Sequence, residues 1–147
     1  MPNDISIADR VAAGVAYLDQ LEADPNWWVG RIDVDRLDIA HVFNCVLGQI
    51  YGSYGTALLF TWDFDSLAGA CEAAISMGFT TVGVRMEARQ LLLPGGMNTY
   101  LAQVADTTLE MQELTAQWRQ VVEQRQQQLA CAFMARVRAD IPELVAA

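Results

Sequence analysis

Beyond Gly96 the chain has no further glycine, and no proline until Pro142. No other feature of the 147 residues constrains the fold as much, because these two residue types are the ones that end or bend helices. Within the run, Met111, Leu114, Trp118, Val121, Val122, Leu129, Ala132, Phe133 and Val137 recur at helical spacing. Gln112, Gln117, Gln120, Gln124, Gln126 and Gln127 fill much of the remaining circumference. The spacing predicts one long helix that starts between residues 98 and 107 and runs to about 139. At 1.5 Å per residue it spans roughly 50 Å. A compact chain of this size has a radius of gyration of about 15 Å. The helix is therefore expected to overhang its own body. Overhanging apolar surface asks for a partner, and a second copy meets that need most simply, so a homodimer is expected.

The rest of the chain reads as shorter pieces. Ser6 and Asp9 form a capping-box pattern. Ile7, Val11, Val15 and Leu18 then predict an amphipathic helix over about 6–23, ended by Pro25. Val29, Ile32 and Val34 alternate with charged positions, which suits a short strand near 30–35 or an extended packed loop. Asp38 is placed to cap a helix over about 39–51 that ends near Gly52. A short helical stretch near 54–60 follows. A helix capped by Asp65 or Ser66 then runs through Met77 to Gly78. Residues 79–86 carry a weak strand alternation, and Pro94-Gly95-Gly96 is the clearest break. Thr107 and Glu110 repeat the capping-box pattern. The expected fold is mainly α, a single domain. It has a helical body over about 6–93, a long C-terminal helix over about 98–139 and at most a small β element.

Charge excludes several functions. Nine basic residues against 18 acidic ones give 9 − 18 = −9. A phosphate backbone wants a basic stripe, and none is visible, so no nucleic-acid partner is expected. An anionic membrane surface is disfavoured on the same ground. All nine basic residues are arginine, which reads as coding bias from a GC-rich genome. Cys45, Cys71 and Cys131 are odd in number and widely spaced, so no disulfide framework is expected. With no basic and apolar leader at Met1, a cytoplasmic protein is the expectation.

Two segments carry a resemblance. Arg31-Ile32-Asp33-Val34-Asp35-Arg36-Leu37-Asp38, followed by Cys45-Val46-Leu47-Gly48-Gln49-Ile50-Tyr51-Gly52-Ser53-Tyr54, resembles a family of small uncharacterised proteins of actinobacteria and their phages. Leu114 to Arg119 resembles that family's C-terminal helix more loosely, and residues 79–100 look like additional material. The resemblance implies an actinobacterial or phage origin and no particular activity.

Each candidate chemistry has a plainer counterpart. Asp33, Asp35 and Asp38 are hard-cation ligands by type, but an EF-hand's central glycine and terminal glutamate are missing. Capping and pairing with Arg31 or Arg36 account for them better. His41 and Cys45 stand four apart, a spacing that suits zinc or a thiolate with its base. Without a C-x-x-C pair or a third orienting group, a small buried thiol is the simpler reading. The stretch from Val42 to Trp62 holds no formal charge and is long enough to span a bilayer, as a holin-like protein would. Its flanks are Asp38 and Asp63 rather than basic residues, and it holds many amides and hydroxyls, so a membrane role is disfavoured. Trp27, Trp28, Tyr51, Tyr54, Trp118, Arg125, Leu129 and Phe133 are the candidate interaction residues, since large amphipathic rings and arginine concentrate at binding hot spots. Arg125 beside the apolar stripe either snorkels to its edge or, where the helix dimerises, pairs with an acid across a helix interface, the second being preferred in a dimer.

No catalytic, cofactor-binding or metal-binding residue is expected. The function expected is a non-catalytic protein-binding module acting on a host process. The alternatives are a small enzyme or ligand-binding domain with a polar pocket near Asp33, Asp35, His41 and Gln49, or the holin-like protein.

Overall fold

The structure, a computed structural model, describes residues 5–60, 67–81, 84–105 and 109–141. It is mainly helical. The element order is α1 (Ile7–Asp19), a 3₁₀ turn (Val29–Arg31), α2 (Val46–Tyr51), α3 (Tyr54–Phe60), α4 (Leu67–Ser76), β1 (Val84–Leu93), β2 (Gly96–Ala105) and α5 (Leu109–Asp140).

Ser6 caps α1 as its sequence predicts. Its Oγ accepts from the Asp9 amide at 3.1 Å and donates to the Asp9 carboxylate at 2.8 Å. The helix stops at Asp19 rather than about 23. The Leu18 carbonyl is taken by the Trp27 indole at 2.7 Å, and the chain turns back beneath α1. α4 ends in a left-handed residue, Gly78 at φ 69°. There the Phe79 amide donates to Ala74 O and the Gly78 amide to Ile75 O, closing the last turn. The proposed caps Asp65, Ser66 and Thr107 lie outside the described residues.

One open reading is decided and two expectations are corrected. Of the strand or packed loop read at 30–35, the structure has the loop: Val29–Arg31 is a 3₁₀ turn, and further turns follow. The helix expected from 39 starts only at Val46, with Cys45 as its cap and not Asp38. Residues 39–45 are held in turns by their own side chains. The Asp38 carboxylate accepts from the Ala40 amide at 2.9 Å, and His41 Nδ1 accepts from the Phe43 amide at 3.2 Å. Of the strand alternation read over 79–86, residues 84–86 do lie in a strand, but that strand runs on to Leu93 and pairs with residues 96–105, where the long helix could have begun, as an antiparallel hairpin. It pairs Val84 with Ala105 through Leu93 with Gly96. As the glycines lead one to expect, the uncharged stretch is divided at Gly52, φ 94°, into α2 and α3, the second covering the stretch read at 54–60. Among the described residues no helix is long and apolar enough to cross a membrane.

The core gathers side chains from α1 through α5. Trp118 of α5 is its centre. It stacks on Phe79 with ring centroids 5.4 Å apart, meets Trp28 edge-on at 6.2 Å and donates its indole hydrogen to Gly78 O at 2.6 Å. Val11, Leu18, Met111, Leu114 and Val122 close around it.

Candidate functional site

The irregular segment 29–45 holds most of the polar residues singled out from the sequence, and it is ordered by side chains on two helices. From α5, Thr115 Oγ1 accepts from the Ile39 amide at 3.1 Å. Arg119 donates to Val34 O at 3.1 Å and to Leu37 O at 3.0 Å. Gln126 donates to Ile32 O at 2.9 Å and to Val29 O at 3.2 Å. From α2, Gln49 takes the Asp33 amide at 2.6 Å and donates to Asp33 O and Asn44 O. Backbone groups without a secondary-structure partner must find one elsewhere, and here these four side chains supplement the segment's own turns.

That accounting bears on the polar pocket. Gln49 is spent on the loop backbone. The Asp33 carboxylate accepts from the Asp35 amide at 3.0 Å, and Arg36 donates to Asn44 Oδ1 at 3.0 Å. The Asp33, His41 and Gln49 side chains thus bond the backbone of this segment, Asp35 joins it through its amide, and none of the four lines the nearby groove. Among the described residues no three His, Cys, Asp or Glu side chains come together as a metal group would require. A concave surface lies nearby, as an open groove between Asp38–Ala40 and the Met111–Arg119 segment of α5. Its Thr115 and Arg119 are already engaged with the loop.

Cys45 is built as a cap. Its Sγ accepts from the Gly48 amide at 3.3 Å, and burial pushes its thiol up to about 12. A thiol held protonated in this way is a poor nucleophile near neutral pH. Burial also raises the Cys71 thiol and the Tyr54 phenol above their usual ranges.

The eight candidate interaction residues separate into three groups. Trp28, Tyr54 and Trp118 are core residues with 1% or less of their surface exposed, so their rings are not offered to a partner. Trp27 and Tyr51 are half-buried, and Arg31 sits 5.2 Å over the Trp27 ring. Arg125 does pair with an acid across a helix interface, but within its own chain. It donates to both carboxylate oxygens of Asp19 at 3.1 Å and to Asn26 Oδ1 at 3.0 Å. The Trp28 indole donates to the same carboxylate at 2.9 Å. Only Leu129 and Phe133 are exposed.

These last two belong to a larger surface. From Gln127 to Asp140 no residue of α5 is buried. Leu129, Phe133, Met134, Val137 and, just beyond the helix, Ile141 fall at i, i+4, i+5, i+8 and i+12, with Ala130 among them. That is one face of a helix. Phe133 is 59% exposed, Met134 46% and Ile141 43%. Sequence periodicity signalled the face, but Met134 and Ile141 were not singled out from it. A second exposed apolar group, Leu92 with its cross-strand partner Met97, marks the hairpin tip. Leu92 and Met97 flank the Pro-Gly-Gly break, which signals a turn but not what the turn exposes. The chain matches no known protein family, no curated protein and no solved structure.

Proposed function

We propose that this chain is a non-catalytic protein-binding module and that its contact surface is the free C-terminal end of α5. The supporting observation is the exposed apolar face of residues 129–141 on a helix whose first half is packed into the core. Water-exposed helix without packing is usually marginal. This segment is rich in alanine, glutamine and arginine, which favour helix on their own account. It is thus offered preformed, and a partner does not bear the cost of ordering it. An apolar stripe on a preformed helix suits a groove or a second helix in another polypeptide. That polypeptide is a second copy of this chain or a host protein.

Charge refines the partner. Arg136 and Arg138 against Asp140 give 2 − 1 = +1 over residues 127–141, in a chain of net charge −9. The binding groove is expected to be rimmed by acids, and binding to weaken as salt rises.

The test compares three proteins by light scattering and by affinity capture from an actinobacterial lysate. They are the full chain, the chain ended at Gln126, and Phe133→Asp. The full chain is expected to hold a partner that the other two release. A full chain that associates no differently from both altered forms overturns the proposal.

A further inference from the structure

We propose that the free edge of β2 pairs with β2 of a second copy, giving a four-stranded sheet β1-β2-β2-β1 across a two-fold axis. The argument is independent of the α5 surface.

The hairpin is long and bare. Each strand has ten residues, so the ribbon runs for roughly 33 Å. Among the described residues no third strand joins it. Its far end is not covered by the body, since Leu92 is 74% and Met97 61% exposed. α3 lies against β2, but a helix has already bonded its backbone along its own axis and cannot extend a ladder. Two-stranded ribbons are marginal in water without further strands or a packed helix, and here α3 supports β2 while the exposed tip has neither.

The two edges differ in a way that selects one of them. β1 carries Arg85, Glu87 and Arg89 and runs into Pro94. Charges and proline are the devices by which an edge strand is kept from pairing further. β2, Gly96-Met97-Asn98-Thr99-Tyr100-Leu101-Ala102-Gln103-Val104-Ala105, has no charge and no proline. Neither charge nor proline guards it; α3 lies against it, and its Met97 end is exposed.

Register shows which groups that edge presents. Leu93 and Gly96 close the hairpin across a two-residue loop and form a hydrogen-bonded pair. Alternation along the ladder then turns the amides and carbonyls of Met97, Thr99, Leu101, Gln103 and Ala105 away from β1. An antiparallel copy of the same strand presents the complementary groups, so one edge serves both sides of the contact. The resulting sheet has the charged β1 at both outer edges. It therefore stops at four strands and does not grow into a fibre, which is why a second copy, and not an open series of strands, is the occupant.

The test measures mass by light scattering at micromolar concentration for the full chain, for Thr99→Pro and for the chain ended at Gln126. Thr99→Pro removes one outward amide and leaves the β1–β2 ladder bonds in place. The full chain is expected at about twice 16.2 kDa. Thr99→Pro is expected at the single mass with an unchanged circular dichroism spectrum, and the shortened chain at the double mass. Amide exchange supplies the second readout. The outward amides of Leu101 and Gln103 are expected to be protected in the full chain and to exchange rapidly in Thr99→Pro. A full chain of single mass overturns the proposal, as does a dimer that Thr99→Pro leaves intact with those amides unprotected. A dimer lost only when residues 127–147 are removed overturns it too, but leaves the α5 reading standing. Loss of lysate capture in the shortened chain, with its double mass kept, separates the two surfaces.

Discussion

At Gly14 no side chain fits. A Cβ there would collide with the Met77 carbonyl and come within 2.8 Å of the Trp118 ring. Neither neighbour can yield, because the first is backbone and the second is the centre of the core. Gly14→Ala is expected to cost about 2–3 kcal/mol in urea unfolding, against the fraction of a kcal/mol that the same change adds to an open helix. Cys45 gives a pH prediction. Its thiol titrates near 9.0 when free and at about 12 in the fold. The folded value is raised, so the stabilisation is complete below about 9 and is lost between about 9 and about 12, as the unfolded chain ionises first. The raised Tyr54 phenol deepens the fall at the upper end. Tm is expected to drop as pH rises from 8 to 11. Cys45→Ser keeps a strong cap without a titrating thiol and is expected to flatten the early part of that drop. Residue identity made Cys45 legible as a small buried group but not as a cap. Cysteine is not among the residues expected there, and only the position of the helix start reveals the role.

The long helix is the element that sequence periodicity read best. Absence of breakers, spacing and overhang all find their counterparts in α5, and only its start, Leu109, lies later than expected. The spacing lets it start as early as 98, because a breaker-free run looks alike in helix and strand until pairing decides, and here β1 is the deciding partner. The 29–45 loop misled for the opposite reason. Local alternation suggested a strand and Asp38 suggested a cap, yet the backbone is settled by Thr115, Arg119 and Gln126 from a distant part of the chain. No local signal carries such contacts. The two halves of α5 are expected to differ in amide exchange. Amides near Trp118 open only with global unfolding, whereas those of residues 130–138 exchange through local fraying and are protected less by several orders of magnitude. Equal protection along the whole helix in a monomer would contradict the exposed-end description.

Over the whole molecule, a few arginines join parts that the core alone does not align. Arg10 on α1 donates to Ile75 O at 3.0 Å, to Thr80 O at 2.9 Å and to Glu110 of α5 at 2.6 Å. Arg10→Met would leave two carbonyls and a carboxylate to find other donors. With Glu110 41% exposed, water can serve that carboxylate, so the expected loss is about 2 kcal/mol in denaturant unfolding. Arg119 and Gln126 join the same helix to the loop. The residues that clasp the loop and the bare end belong to one continuous helix. Whatever docks at Phe133 therefore shares an element with the side chains that hold the Ile32 and Val34 carbonyls, and the loop leading into the next helix is one helix away from the contact.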